Sequence, residues 1–169
     1  MKSMPLTTSA LTRSPLVLLI IVFASVGHAL QAQNRRPFSG DWNWAIFATD
    51  KSELPRGYQS MDLKEVPQFA VDLTIKQKGN KITGEFGILA RFLARVDEGS
   101  FSATIKGSIV RFRVESNFGG SATIQLTLRG NKLLWKRIKS TGDMYFPNEC
   151  ELRRLKPGEK LPYEASDEP

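Results

Sequence analysis

The chemistry open to this chain is bounded by two residue types that are almost missing from it. His28 is the only histidine and Cys150 the only cysteine. His28 falls in an N-terminal segment that reads as an export signal, so the rest of the chain has no imidazole. A Ser-His-Asp or Cys-His site is then out of reach, as is a zinc site built from Cys and His. Cys150 cannot close an intrachain disulfide, so the fold must be held by its core. On strand parity Cys150 sides with Leu152, opposite Glu149, Glu151 and Arg153, which predicts a buried small hydrophobe. The acids are scattered over outward positions, with Asp97-Glu98 read as a turn. Glycoside hydrolysis needs two carboxylates facing one cleft, and the spacing supplies no such pair. The sequence therefore predicts a non-catalytic protein with no cofactor and no metal site. One stretch is positively suggestive. Lys132, Trp135, Lys136, Arg137 and Lys139 form a basic, aromatic run that could meet an anionic surface such as a membrane, an acidic polysaccharide or an acidic protein, and that a solvated strand face would explain equally.

Lys2 and Arg13, then the apolar run Leu16 to Ala24, then small residues make up a secretory signal pattern. The run is well short of the roughly 20 residues that cross a bilayer. Small residues place cleavage near Ala29 or Ala32, giving a signal over 1–32 and an exported, periplasmic or extracellular product. Arg35-Arg36 lies after the apolar run, against a twin-arginine signal. Removing Lys2 and Arg13 leaves 22 basic against 17 acidic residues, a mild excess that does not by itself mark a nucleic-acid binder, and none is expected as a partner. About 135 residues remain, enough for one domain with a single core.

The elements that must position any site are strands. From Ser100 to Lys139 apolar residues alternate with polar ones in three runs: Phe101, Ala103, Ile105; Val110, Phe112, Val114; and Ala122, Ile124, Leu126, Leu128. Period two with a wetted opposite face signals an antiparallel meander. Lys106-Gly107-Ser108, Asn117 to Gly120 and Gly130-Asn131 punctuate it as turns. Before it, Asp41 to Ala48 reads as a first strand with Trp42, Trp44 and Ile46 on one face. Phe69 to Lys78 alternates cleanly, and Gly79-Asn80 turns it into Lys81 to Ile88. Between them Thr49 to Gln68 is a long connection in which only Ser60 to Val66 could form a short helix, and it is expected to lie over one barrel end. Leu89 to Val96 fits both a helical stripe and alternation, and is read as strand. Strands follow over Lys132 to Lys139 and Glu149 to Leu155, and the 156–169 tail is expected to be disordered. The predicted fold is all-β, an antiparallel up-and-down meander over 38–155 closing into a roughly eight-stranded barrel.

Gly40-Asp41-Trp42 at the start of the first strand resembles the Gly-x-Trp motif of the lipocalin and calycin superfamily. In that superfamily an Arg or Lys from the last strand packs over the motif Trp. Arg153 and Arg154 stand in the matching strand here, and parity assigns the role to Arg154. The resemblance implies barrel closure by Trp42 and Arg154. The chain lacks the Thr-Asp-Tyr motif, the helix after the last strand and the usual disulfide of classical lipocalins, and its length is nearer to avidin-like and fatty-acid-binding relatives. Together with the inward pattern, the resemblance leads to an exported binding module holding a small apolar or amphipathic ligand, lined by Trp44, Phe86, Phe101, Phe112 and Ile124. The alternative is an interaction protein with a solid barrel core that engages another protein through its loops or its basic strand.

Overall fold

The computed structural model describes residues 37–161 and 163; the segment expected to act as an export signal, with its expected cleavage site, lies outside them. Eight strands run β1 Gly40–Phe47, β2 Pro67–Lys78, β3 Lys81–Ala90, β4 Arg95–Thr104, β5 Ile109–Glu115, β6 Ser121–Arg129, β7 Lys132–Thr141 and β8 Glu149–Arg154. All pairs are antiparallel, in the order β4-β3-β2-β1-β8-β7-β6-β5, giving a nearly closed all-β meander barrel. Alternation builds it. The inward residues Val71, Leu73, Ile75, Ile82, Phe86, Val110, Phe112, Ile124, Leu126, Leu133, Trp135 and Leu152 share one buried cluster.

Closure is uneven. The β1–β8 ladder contains only the pairs Trp42↔Arg154 and Asn43↔Arg153. At the other junction β4 and β5 are consecutive in the chain yet are the two ends of the sheet, joined by an isolated bridge between Lys106 and Ile109. The barrel is thus two four-stranded halves, β1–β4 and β5–β8, whose backbone junctions both lie at one end, here the base. At the opposite end, the mouth, the loops 48–66, 91–94, 116–120 and 142–148 gather.

Several local readings change in the folded chain. Leu89 and Ala90 continue β3, but Arg91–Leu93 form a single 3-10 turn, ended by Ala94 at φ 51° before β4 begins. The mixed helical and alternating signal reflects this interruption. Asp97 and Glu98 are in β4, not in a turn, and Asp97 is fully buried. The connection 48–66 contains three 3-10 turns, Lys51–Glu53, Arg56–Tyr58 and Leu63–Glu65, and the last of these stands where a short helix is expected. Ala48, Leu54 and Val66 form a small core of their own there, with Tyr58, Met61, Leu63 and Phe92 packed on it. In the tail, where the sequence predicts disorder, Leu161 and Tyr163 are buried against Ala70 on the outer face of the barrel. The Tyr163 hydroxyl meets the buried Asn43 amide at 2.5 Å, and that amide also donates to Asp72 at 2.8 Å. The remainder of the predicted tail lies outside the described residues.

Cys150 is a free, buried thiol, and burial pushes its pKa up from 9.0 to about 12. Because the thiolate is the nucleophile, Cys150 is expected to resist thiol reagents in the native protein and to react fully in denaturant. In the unfolded chain the thiol ionises near 9, whereas in the native chain it holds its proton to about 12. The native state therefore binds more protons in that window, and stability should fall as pH rises through it. A Cys150→Ala variant, compared by urea titration at pH 8 and 11, should show a smaller pH-dependent loss than the parent.

Candidate functional site

At the base, Trp42 is almost wholly buried and donates its indole N–H to the Phe38 carbonyl at 3.0 Å. The Arg154 guanidinium carbon lies 4.1 Å from the ring centroid, and its two terminal nitrogens donate to the carbonyls of Ser39 and Pro37. Burial lowers the Arg154 pKa from its ordinary value. Gly40 has φ +125°, and a Cβ there would come within 2.8 Å of an Arg154 guanidinium nitrogen. Glycine two positions before Trp42 is therefore favoured by its positive φ, and it leaves room for the cation laid over the indole. This base is sealed, and the turns around it are short and polar: Gly79-Asn80, Gly107-Ser108 and Gly130-Asn131.

The interior is occupied by its own side chains. Phe101 and Phe112 stack at 3.9 Å and 12° across the β4/β5 junction, and Phe112 meets Trp135 edge-on at 6.3 Å. Phe86 meets Phe146 edge-on at 6.3 Å. Two glycines make room for this. A Cβ on Gly84 would sit 2.7 Å from the Phe101 ring, and one on Gly99 would sit 2.8 Å from the Phe86 ring, so each aromatic covers a glycine on the neighbouring strand. Of the five residues predicted to line a ligand chamber, Phe86, Phe101, Phe112 and Ile124 are thus together in the packed core, and Trp44, partly buried, packs against that core and lines a groove at the mouth. Phe146 has no counterpart in the sequence reading, since it belongs to the irregular 142–148 segment and no periodicity marks it. Trp135 is also turned inward and fully buried, so the basic run of β7 presents its cations without its aromatic residue.

The mouth is different. Loop 142–148 drops Phe146 into the barrel, and Tyr145 contacts Phe69, Phe118 and Phe146 at ring distances of 6.2, 5.9 and 5.3 Å. Arg137 holds this loop through the Met144 carbonyl at 3.1 Å and through the Asn148 side chain. Arg95 pairs with Asp143 at 2.9 Å and lies over both Phe118 and Tyr145. The Tyr145 phenol is held well above its ordinary pKa, first by burial and then by the Asp97 carboxylate facing it. Beside the plug, Trp44, Ile46, Phe69, Ala90, Phe92, Leu93 and Pro147 line an apolar groove of about 440 Å³ that opens to solvent. Its walls come from the mouth ends of β1, β2 and β3, the 3-10 turn after β3 and the 142–148 loop.

No family model, curated protein or solved structure matches this chain. The eight-stranded, nearly closed antiparallel barrel fits a lipocalin- or calycin-like fold.

Among the described residues, the large hydrophobic side chains that remain exposed are Ile46, Leu93, Val96, Phe118 and Ile138. All five lie toward the mouth: Ile46 near the end of β1, Leu93 in the 3-10 turn, Val96 at the start of β4, Phe118 in the β5–β6 loop and Ile138 in the last third of β7. Among the same residues no three of His, Cys, Asp and Glu gather where they could hold a metal ion.

Proposed function

We propose that this protein is an exported, non-catalytic interaction module of the calycin-like class, which uses the mouth of a solid barrel to take apolar side chains of a partner protein. The observation that carries the reading is the placement of every exposed large hydrophobic residue of the described chain at one end, while the base carries short polar turns. Apolar surface that a monomer leaves in water at one place, rimmed by polar residues, is characteristic of a protein contact. Ile46 and Leu93, 46 % and 63 % exposed, flank the groove, and Trp44 and Phe69 supply the aromatic wall that a contact centre favours. The packed interior favours this reading over a chamber inside the barrel.

A second reading keeps a small amphipathic ligand but seats it in the mouth groove, whose volume is within the usual range for small-molecule sites. One experiment separates the two. A photo-crosslinking residue is placed at Leu93 or, as a control, at Asn131 in the base turn, and the protein is irradiated in the exported fraction of its own cells. A protein adduct at position 93 and none at 131 is expected. A small molecule captured at 93 instead would favour the second reading, and no adduct at 93, or equal adducts at both positions, would sink the mouth as the site. With the crosslinker at position 93, Ile46→Ser should abolish the adduct while shifting stability by no more than about 0.5 kcal/mol, as exposed substitutions do.

A further inference from the structure

The charge of the folded chain is divided unevenly between the two halves of the barrel. From Pro37 to Ser108 basic and acidic residues balance at nine each, whereas from Ile109 to Leu155 nine basic residues stand against four acidic ones. Strand register decides where those cations go. Val110, Phe112 and Val114 face the core, so Arg111 and Arg113 face out from β5. Ala122, Ile124 and Leu126 face in, so Thr123, Gln125 and Thr127 face out from β6. Arg111 and Lys136 are both in register with Gln125, and Arg113 and Lys139 are both in register with Thr123. On β7 the second of these alignments depends on the register shift opposite Thr123/Ile124: Ile138 is passed over and Lys139 comes opposite Thr123. A bulge that re-aims a side chain in this way is a local device of the strand.

The result is a rectangle of four cations around a hydrogen-bonding strip. Strand spacing makes it about 10 Å across, two ladders wide, and about 7 Å along the strands. Arg111 is fixed against the strip by its bond to Gln125 at 2.8 Å, and Arg113 by its bond to Ser121 at 2.9 Å. Arg129 and Lys132 extend the basic surface toward the base, where they are in register with each other. Acids are present at its flanks: Glu115 beside Arg113 at 3.4 Å, Glu149 beside Lys136 at 3.7 Å, and Glu151 paired with Lys132. These pairs are all exposed on both sides, so they are screened and readily exchanged for another anion.

We propose that the outer face of β5, β6 and β7 is a binding surface for a linear, polyanionic polysaccharide, with Arg111, Arg113, Lys136 and Lys139 meeting its carboxylates or sulfates and Thr123, Gln125 and Thr127 meeting its hydroxyls. The chemistry of the strip selects this class of partner. A lipid surface calls for several apolar residues that enter the interface, whereas the middle of this face is Thr and Gln and Ile138 is the one exposed large apolar residue between its cations. A single-stranded nucleic acid calls for exposed aromatic rings on which bases stack, and the aromatic residues adjacent to the cations in sequence, Phe112 and Trp135, are both buried. The face is on the wall of the barrel and borders the mouth at Ile138, while Ile46 and Leu93 at the mouth groove belong to the other half of the barrel.

The test measures binding of the purified protein to heparin, to alginate and to neutral dextran, and to vesicles of phosphatidylglycerol in phosphatidylcholine, at low and at physiological salt. Heparin or alginate should bind in a salt-sensitive manner and dextran should not. R111Q/R113Q and K136Q/K139Q should each weaken binding about tenfold or more. K76Q/K78Q/K81Q removes a larger number of exposed charges from the opposite half and should weaken it less than about twofold. The proposal is overturned if neither polyanion binds, if the control triple variant weakens binding as much as the array variants, or if the vesicles are bound in preference to both polysaccharides. All substituted positions are exposed, so thermal unfolding should be unchanged, and the mouth variants Ile46→Ser and Leu93→Ser should bind heparin as the parent does.

Discussion

Replacing Trp42 with alanine is expected to destabilise the protein by about 3 to 5 kcal/mol, the range for a fully buried aromatic. Against a total of about 5 to 15 kcal/mol for a domain, that loss leaves the fold marginal. The reason is positional as well as volumetric. Trp42 and Asn43 supply β1's side of the only backbone ladder between the two halves of the barrel among the described residues. The indole fills the base beneath that ladder, bonds the Phe38 carbonyl and carries the Arg154 guanidinium on its face. Trp42→Phe keeps most of the apolar contact but loses the N–H bond, so it should cost only about 1 to 2 kcal/mol. Arg154 and Arg153 give an internal comparison. Arg154 lies over the ring and bonds two carbonyls of the incoming chain, whereas Arg153 is half exposed and paired with Glu159 at 2.7 Å. A surface pair of that kind contributes about 1 kcal/mol or less. Arg154→Ala should therefore lower the urea midpoint distinctly more than Arg153→Ala, with the slope unchanged. Equal and negligible losses from the two would remove the base clasp from the account.

Period two makes most of this architecture readable in the sequence. The Phe69 to Lys78 run, the Gly79-Asn80 turn and the three central runs all fold as their alternation implies, because one face of each strand must be dry and the other wet. Parity also turned Cys150 inward. Parity cannot say whether inward residues leave a void. Phe101 and Phe112 come from strands at the two ends of the sheet, and their stacking depends on how closely barrel closure brings those strands together. Phe146 reaches the core from an irregular loop, so no pattern announces it. Trp135 illustrates the reverse case, a residue grouped with its charged neighbours in sequence that alternation alone would have sent inward with Leu133. The mouth was the least legible region. It is assembled from four loops far apart in the chain, and the exposed residues that define it are ordinary strand or turn residues until the fold brings their ends together.

Asp97 is the sharpest example, and it carries the second large expected effect. It shares inward parity with Gly99, Phe101 and Ala103, yet a carboxylate there contradicts the apolar pattern, so the dipeptide Asp97-Glu98 resembles a turn. In the folded chain it crosses the junction that has no ladder. One carboxylate oxygen accepts the Ser116 hydroxyl at 2.6 Å and the other accepts the Asn117 N–H at 2.7 Å. It thereby ties the top of β4 to the loop after β5, and the Ser116 hydroxyl oxygen in turn accepts the Phe118 N–H at 3.1 Å. Asp97→Ala removes the acceptor from both donors in a dry site, and charge-assisted bonds of this kind make the expected loss on the order of 3 kcal/mol. Asp97→Asn retains one carbonyl oxygen and should lose less. Glu98→Ala, one residue along on the exposed face, should change stability by about 0.5 kcal/mol or less. A spectroscopic readout distinguishes this tie from mere packing. Asp97 is one of the causes that hold the Tyr145 phenol above its ordinary pKa, second to burial. Ultraviolet titration of Asp97→Asn should therefore show Tyr145 ionising at lower pH than in the parent, though still above an exposed tyrosine. If Asp97→Ala were no more costly than Glu98→Ala, and Tyr145 titrated as before, the halves would have to be held together at the mouth by the contacts of Arg95, Tyr145 and Phe146 without Asp97.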